Sequence, residues 1–244
     1  MYHEFAAWFH LVTAPAEYEE EATFYFQAVV DVLGRQPRSW LELGSGGGNN
    51  ASHYASWVEG PVVLSDRSPE MLALSRTINP GLEHVLGDML TLRLGRQFEV
   101  VFVHDAATYL TTEEQVRALA ETAFAHCAPG GLVMLCPDNT AENLKFETDH
   151  GGHDGDGRAL RYLEWCTPGR PGTFEYYVDY VYDFHEDGKP PRVEIDRHIC
   201  GALPRQVWID ALLAGGFTEP FTRYLEHSEV GEGEYEFFVA RRPG

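Results

Sequence analysis

Trp40-Leu41-Glu42-Leu43-Gly44-Ser45-Gly46-Gly47-Gly48-Asn49 is the stretch on which the fold turns. Its first four residues read as a short buried strand. The glycines after it let the backbone turn tightly and approach a ligand closely. A helix near residues 49–58 then aims its first amides at whatever lies above the strand end. Val62 to Asp66 reads as the next strand, and Asp66 lies 22 residues after Gly44. An acid at that strand end can bind both hydroxyls of a ribose. A Gly-x-Gly-x-x-Gly dinucleotide pattern needs glycine at 49, and the residue is Asn49.

Outward from this stretch, strand and helix alternate. Glu17 to Leu33 reads as a helix with acids in its first turn and Gly34 behind it. Ser68-Pro69 opens a helix with proline in its first turn. Glu83 to Leu86, Phe98 to Val103 and Leu132 to Cys136 read as strands, and Thr112 with Gln115 forms a capping box for a helix running to about Cys127. Pro204 starts a helix ending at Gly215-Gly216, and two closing strands span about 217–226 and 234–241. Such alternation predicts an α/β fold: a Rossmann-like, doubly wound, mostly parallel seven-stranded sheet covered on both faces. Residues 1–138 and 201–244 are assigned to this domain.

The pattern breaks between 139 and 200. Residues 139–172, rich in Gly, His, Asp and Pro, read as loop. Phe174 to Phe184 and Arg192 to Cys200 alternate with a period of two and predict an antiparallel hairpin. Residues 139–200 are therefore expected to form an inserted loop and hairpin, a lid on the acceptor side. The aromatics Tyr176, Tyr180, Tyr182 and Phe184 read most simply as the buried face of a half-exposed sheet; lining an acceptor pocket is the alternative. Asp149-His150-Gly151-Gly152-His153-Asp154-Gly155-Asp156-Gly157-Arg158 fits a flexible polar loop, an acceptor contact or a divalent-metal site. His150-x-x-His153 lacks the further ligands of a familiar zinc spacing, so no metal site is assigned.

With 18 Lys and Arg against 38 Asp and Glu, the net charge is −20. That surplus repels phosphate backbones and anionic lipid, so nucleic acid and membrane are not expected partners. It suits a cationic acceptor such as an amine, or is a solvated acidic surface. No apolar run is long enough to span a membrane. The opening residues have no signal-peptide character, so a cytoplasmic location is expected. The four cysteines are widely spaced and fit neither a disulfide framework nor a zinc knuckle. Homodimerisation is left open.

The Glu42-x-Gly44-x-Gly46-x-Gly48 form resembles motif I of class I S-adenosylmethionine-dependent methyltransferases. Gly87-Asp88-Met89, His104-Asp105-Ala106, Pro129-Gly130-Gly131 and Leu203-Pro204-Arg205-x-x-Trp208 resemble further elements of that family in order. The resemblance covers roughly 38–138 and 201–241. Within the family, Gly87-Asp88-Met89-x-x-x-x-Leu94-Gly95-Arg96-x-Phe98 and the aromatic N-terminal segment are similar to small-molecule, amino-sugar-type N-methyltransferases. The resemblance implies S-adenosylmethionine as cofactor and a small-molecule methyl acceptor. It places cofactor contacts at Glu42, Gly44, Ser45, Gly46, Asn49, Asp66, Arg67, Met71, Gly87, Asp88, Met89, His104, Asp105 and Tyr109.

Methyl transfer from a sulfonium is a direct displacement, in which the protein chiefly aligns the reactants and excludes water. An amine acceptor, slightly favoured over hydroxyl or carboxylate, must lose a proton around transfer. Asp105 and His153 are the candidate catalytic residues. A strand-end cap is the alternative for Asp105, and a plain loop position for His153. Trp8, Phe9 and Tyr109 are candidates to flank the sulfonium; a hydrophobic flap is the alternative for Trp8 and Phe9. Two competing functions remain: a non-catalytic S-adenosylmethionine-binding or scaffold protein, and an NAD-dependent oxidoreductase.

Overall fold

The computed structural model describes residues 1–228, 231 and 233–244. A short helix α1 (Phe9–Val12) and the longer α2 (Glu19–Leu33) precede β1 (Trp40–Leu43). Then follow α3 (Ala51–Tyr54), β2 (Val62–Asp66), α4 (Pro69–Ile78), β3 (Glu83–Leu86), β4 (Phe98–Val103), α5 (Glu113–His126) and β5 (Cys127–Leu135). These strands and the closing β11 (Thr218–Tyr224) and β12 (Glu236–Arg241) form a seven-stranded sheet ordered β11-β12-β5-β4-β1-β2-β3. Pairing is parallel from β3 through β5, and antiparallel where β12 joins β5 and β11 joins β12. The order reverses between β1 and β4, the switch point where a ligand crevice opens at the strand ends.

Alternation along the central strands sorts the core into two layers. Leu41, Leu43, Val101, Val103, Val133 and Leu135 face α5 (Val116, Leu119) and the later helix α6 (Arg205–Ala214; Trp208). Trp40, Leu64, Val100, Phe102, Leu132 and Met134 face α2 (Tyr25, Phe26) and α3 (Tyr54). All twelve strand residues are fully buried. At about 25 cal/mol per Å² of apolar surface, each such side chain contributes roughly 1.5–3 kcal/mol, which makes this sheet the rigid base of the site.

The insertion is larger than a hairpin. Residues 139–172 are not simply loop: they contain β6 (Thr148–Gly151), β7 (Asp154–Gly155) and β8 (Arg158–Pro168). With β9 (Glu175–Glu186) and β10 (Arg192–Gly201) they build an antiparallel sheet ordered β10-β9-β8-β6, with β7 also on β8. β8 escapes a period-two reading because it is intermediate in burial along most of its length, with Leu160 alone fully covered. One sheet face receives the N-terminal segment. Phe5 and Trp8 pack on Phe184 with ring centroids 5.1 and 5.0 Å apart, within a cluster that includes Leu160 and Tyr182. No helix among the described residues is long and apolar enough to cross a membrane.

Candidate active site

Gly44, Gly46 and Gly48 adopt φ of +73°, +52° and +78°, the left-handed region that glycine occupies without penalty. Space is restricted too. A Cβ on Gly44 would lie 2.2 Å from Cβ of Ala106, and one on Gly48 2.2 Å from Oγ of Ser75. Amides of Gly44 and Ser45 donate to the Ser65 carbonyl at 2.7 and 2.9 Å, which ties the loop to β2. The Gly46 amide donates to Asp66 Oδ2 at 2.9 Å, and the Ser68 amide to Oδ1 at 2.8 Å. Burial pushes the Asp66 carboxyl up while these amides pull it down. Asp66 is thus fixed at the strand end with its carboxylate toward the crevice.

A cavity of about 710 Å³ opens over this loop. Its wall includes Glu42, Gly44, Ser45, Gly46, Asn49, Asp66, Arg67, Gly87, Asp88, Met89, His104, Asp105 and Tyr109. Of the expected cofactor contacts, Met71 alone lies outside the wall. It is fully buried, and its Cε would sit 3.6 Å from a Cβ on Gly46, so it supports the loop from below. Asp88 Oδ1 accepts from the Leu90 amide at 2.8 Å, closing a turn that holds Met89 near Gly44. Glu42 Oε2 accepts from the Tyr54 hydroxyl at 2.5 Å; burial raises its carboxyl to about 7. Oγ of Ser45 and Oδ1 of Asn49 are buried without a hydrogen-bond partner. A glycine cradle, unpartnered polar atoms and carboxylates at the β1 and β2 ends together suit a nucleoside with an amino-acid tail.

The N-terminal segment roofs the loop. His10 Nε2 lies 3.2 Å from the Gly47 carbonyl, and a Cβ on Gly47 would meet the Phe9 ring at 2.7 Å. The Ser68 hydroxyl donates to the Tyr2 carbonyl at 2.6 Å. Phe9 lines the cavity, whereas Trp8 does not: it is held on Phe184, with the Arg158 guanidinium 4.9 Å from its ring centre.

A second cavity of about 600 Å³ lies between this crevice and the inserted sheet. Asp105, Tyr109, Tyr2, Tyr18, Phe9 and His198 line both cavities and so form a neck between them. At the neck, His104 Nε2 lies 3.0 Å from Asp105 and 3.4 Å from Glu21, and Asn50 bridges Glu21 and His104 Nδ1 at 2.7 and 3.1 Å. Burial alone would lower the His104 imidazole. The carboxylates of Asp105, Glu21, Asp138 and Glu42 outweigh it and raise the ring to about 9. Asp138 itself is pushed well up by burial and by Asp105 beside it. Across the neck the Tyr109 hydroxyl stands 2.8 Å from that of Tyr2 and 2.7 Å from His198 Nδ1. His198 Nε2 faces Asp196 at 3.2 Å, so Nδ1 keeps its lone pair for Tyr109. Burial holds the His198 ring below its usual range and hence neutral.

Tyr176, Tyr180 and Tyr182 line the second cavity, so the sheet face read as plain core is also a chamber wall; Phe184 instead packs on Phe5 and Trp8. His153 lines neither cavity. Its amide donates to the Leu11 carbonyl at 2.9 Å and its Nε2 meets Glu17 at 3.2 Å, which ties the β6–β7 turn to the N-terminal segment. It is a tether there, far enough from the chamber that it touches no wall.

Comparison with known proteins now gives the chain a place. Residues 41–131, spanning the glycine loop through the turn before the last part of β5, match the methyltransferase domain family. Among curated relatives, this chain is 32% identical over 100 residues to the dTDP-3-amino-3,4,6-trideoxy-alpha-D-glucopyranose N,N-dimethyltransferase of Streptomyces venezuelae; the match covers 41% of this chain and 42% of that one. It is also 32% identical over 108 residues to the trans-aconitate 2-methyltransferase of Methylobacterium radiotolerans, covering 43% and 40%. The matches therefore span less than half the length of these relatives. Among solved structures, Streptomyces venezuelae DesVI superposes with a TM-score of 0.81 at 24% identity, over 97% of this chain and 95% of that one. CalS10, an amino pentose methyltransferase from Micromonospora echinaspora, does so at 0.75 and 24%, over 92% and 91%. The fold is theirs, with the second antiparallel sheet included in the superposed length.

Sequence reading missed Tyr2, Glu21, Asn50, Asp138 and His198. Two left a signal. Asp196 and His198 share one face of an alternating strand, and Asp138 follows the end of a buried strand, where ligand-facing groups collect. Tyr2, Glu21 and Asn50 reach the site only through tertiary packing.

Proposed function

We propose that this chain is a methyltransferase that binds S-adenosylmethionine in the crevice over the glycine loop and methylates an amine of a small molecule held in the second cavity. The observation that carries the reading is the neck: two cavities of near-equal size meet at Asp105, Tyr109 and His198. S-adenosylmethionine supplies, when bound, a methyl group on a sulfonium that an amine displaces directly. Asp66 would hold its ribose, Gly87-Asp88-Met89 its adenine, and Glu42 with the loop amides its amino-acid end. The chain's own part is placement and proton handling. The cavity walls exclude water and bring an acceptor against the neck, and such positioning contributes about 7–11 kcal/mol to a bimolecular step. Asp105 attracts an ammonium and orients its nitrogen. A proton leaving that nitrogen can pass to the Tyr109 oxygen as the Tyr109 proton moves to His198 Nδ1, where Asp196 stabilises the imidazolium. The amine preference draws support from the acid-rich chamber and from the amino-sugar acceptors in the names of similar proteins.

Calorimetric titration of the purified chain with S-adenosylmethionine, S-adenosylhomocysteine and NAD tests the reading. Binding of the first two but not NAD is expected; NAD binding alone would establish an oxidoreductase. Incubation with methyl-labelled cofactor and a metabolite extract should transfer label to a small amine. Cofactor binding with no labelled product from a broad amine panel would leave a non-catalytic binding protein.

A further inference from the structure

The inserted sheet has an outward face as well as the inward one. Along β9 the even-numbered residues turn inward, where Phe184 receives Phe5 and Trp8, and the odd-numbered ones turn outward. Strand register sets the outward residues in rows. Ile195 on β10, Val181 on β9 and Leu163 on β8 form one apolar row. Val193, Asp183 and Arg161 flank it on one side, and Arg197, Asp179 and Trp165 on the other. Ile195, Val193 and Trp165 are 74%, 61% and 45% exposed. Among the described residues, none of these three, nor Val181 or Leu163, belongs to a hydrophobic cluster of the fold. Strands β8, β9 and β10 run 11, 12 and 10 residues. With β6 beside them, the face measures roughly 33 by 19 Å, about 600 Å² in projection. Monomers rarely leave an apolar patch of that extent in water. Side-chain relief brings it near the ~800 Å² that each partner buries in a stable interface.

Charge decides what covers this face. The chain carries a net −20, so two copies repel each other over most of their surfaces. The three rows hold two Arg and two Asp and carry none of that surplus. Their arrangement is self-complementary. Arg161 stands at one corner of the three-by-three grid and Arg197 at the diagonally opposite one, while Val193 and Trp165 hold the other two corners. A two-fold axis lying in the face, along β9 or along the apolar row, sets each Arg of one copy over Val193 or Trp165 of the other and never over an Arg. There a guanidinium lies on an indole ring or an aliphatic side chain, beside Asp179 or Asp183. Asp183 faces His185 at 3.1 Å and, among the described residues, no Lys or Arg, so it gains a cation by this pairing. We propose that the outward face packs on the same face of a second copy, apolar row against apolar row, as two aligned sheets about 10 Å apart. Asp196 and His198 project from the other side of β10, so the packing braces the strand that carries them to the neck. The pairing is independent of which small molecule is methylated.

Sedimentation velocity of the full native chain at micromolar concentration should give twice the 27.4 kDa mass of one copy. Val193→Arg together with Trp165→Arg sets Arg against Arg at every corner. That double variant should sediment as a single copy while keeping the native circular dichroism spectrum. Val181 lies on either axis, so Val181→Cys should cross-link to a species of double mass with bismaleimidoethane. Lys189→Cys, in the exposed turn between β9 and β10, should not. The native chain, whose cysteines are buried or half-buried, is the blank. This cross-link decides the matter even where the double-arginine variant does not fold. A native chain of single mass would overturn the proposal and leave the face to a partner of another kind. A dimer that persists in the folded double-arginine variant, or cross-linking at position 189 but not at 181, would overturn it by placing the contact between copies elsewhere.

Discussion

The Tyr109 hydroxyl lies 2.7 Å from Nδ1 of His198, joining the turn after β4 to β10 of the inserted sheet across the neck between the cavities. The two sheets are thus joined by a hydrogen bond at the neck, where the proposed donor and acceptor sites adjoin. Tyr109→Phe removes that bond and the partner of Tyr2. Turnover is expected to fall about 10- to 100-fold, toward the lower end of what a positioned proton-transfer group supplies. S-adenosylmethionine affinity should stay near native. Single-turnover methyl transfer alongside calorimetry checks both, and native turnover in the variant would remove Tyr109 from proton transfer.

Asp66 is held by two amides with its carboxylate at the β2 end. Asp66→Ala removes a charged acceptor of ribose hydroxyls and frees the Gly46 amide. Cofactor affinity should weaken by about 1–3 kcal/mol, a 5- to 150-fold rise in Kd. Titration calorimetry reads this directly.

His104 gives the fold a pH dependence with a definite sign. Its ring sits among Glu21, Asp105, Asp138 and Glu42, and its folded value is about 9 against an unfolded value of 6.5. Because folding raises it, the stabilisation is full below about pH 6.5 and is lost as pH rises through about 9. Urea unfolding at pH 6 and pH 9.5 should show a larger loss for the native chain than for His104→Gln. An equal loss in both would contradict the charged ring.

Arg205 pairs with Glu236, whose side chain is 1% exposed and whose second oxygen has no partner. Arg205→Ala leaves that carboxylate buried and uncompensated. Removing one partner of a buried pair costs about 3–5 kcal/mol, and the lower end is expected because water reaches Arg205. Chemical denaturation measures it.

His153 ties the β6–β7 turn to Glu17 and lines no cavity. His153→Ala should leave cofactor affinity and turnover within about twofold of native, since an exposed pair contributes about 0–1 kcal/mol. A steady-state assay with the first active amine decides it; a large kcat loss would return His153 to the chemistry.

By itself the sequence determined the parallel sheet, the glycine loop and the acids at the β1 and β2 ends. These depend on local rules: burial patterns of strands, glycine where φ is positive, and caps at helix starts. Glu42, Gly44 and Asp66 could be numbered from spacing alone because strand, turn and strand follow each other directly. The second cavity was not legible in that way. β8 hides its strand character because both of its faces are partly covered, so no clean alternation marks it. Asp149, Glu164 and Asp196 come from three strands as many as 47 residues apart, and only the pairing register of the folded sheet sets them in one row. The neck likewise draws Tyr2, Asp105 with Tyr109, and His198 from three distant segments. Local propensity fixes what each segment becomes, but which side chains share a cavity follows from how layers pack, a long-range property that no single stretch encodes.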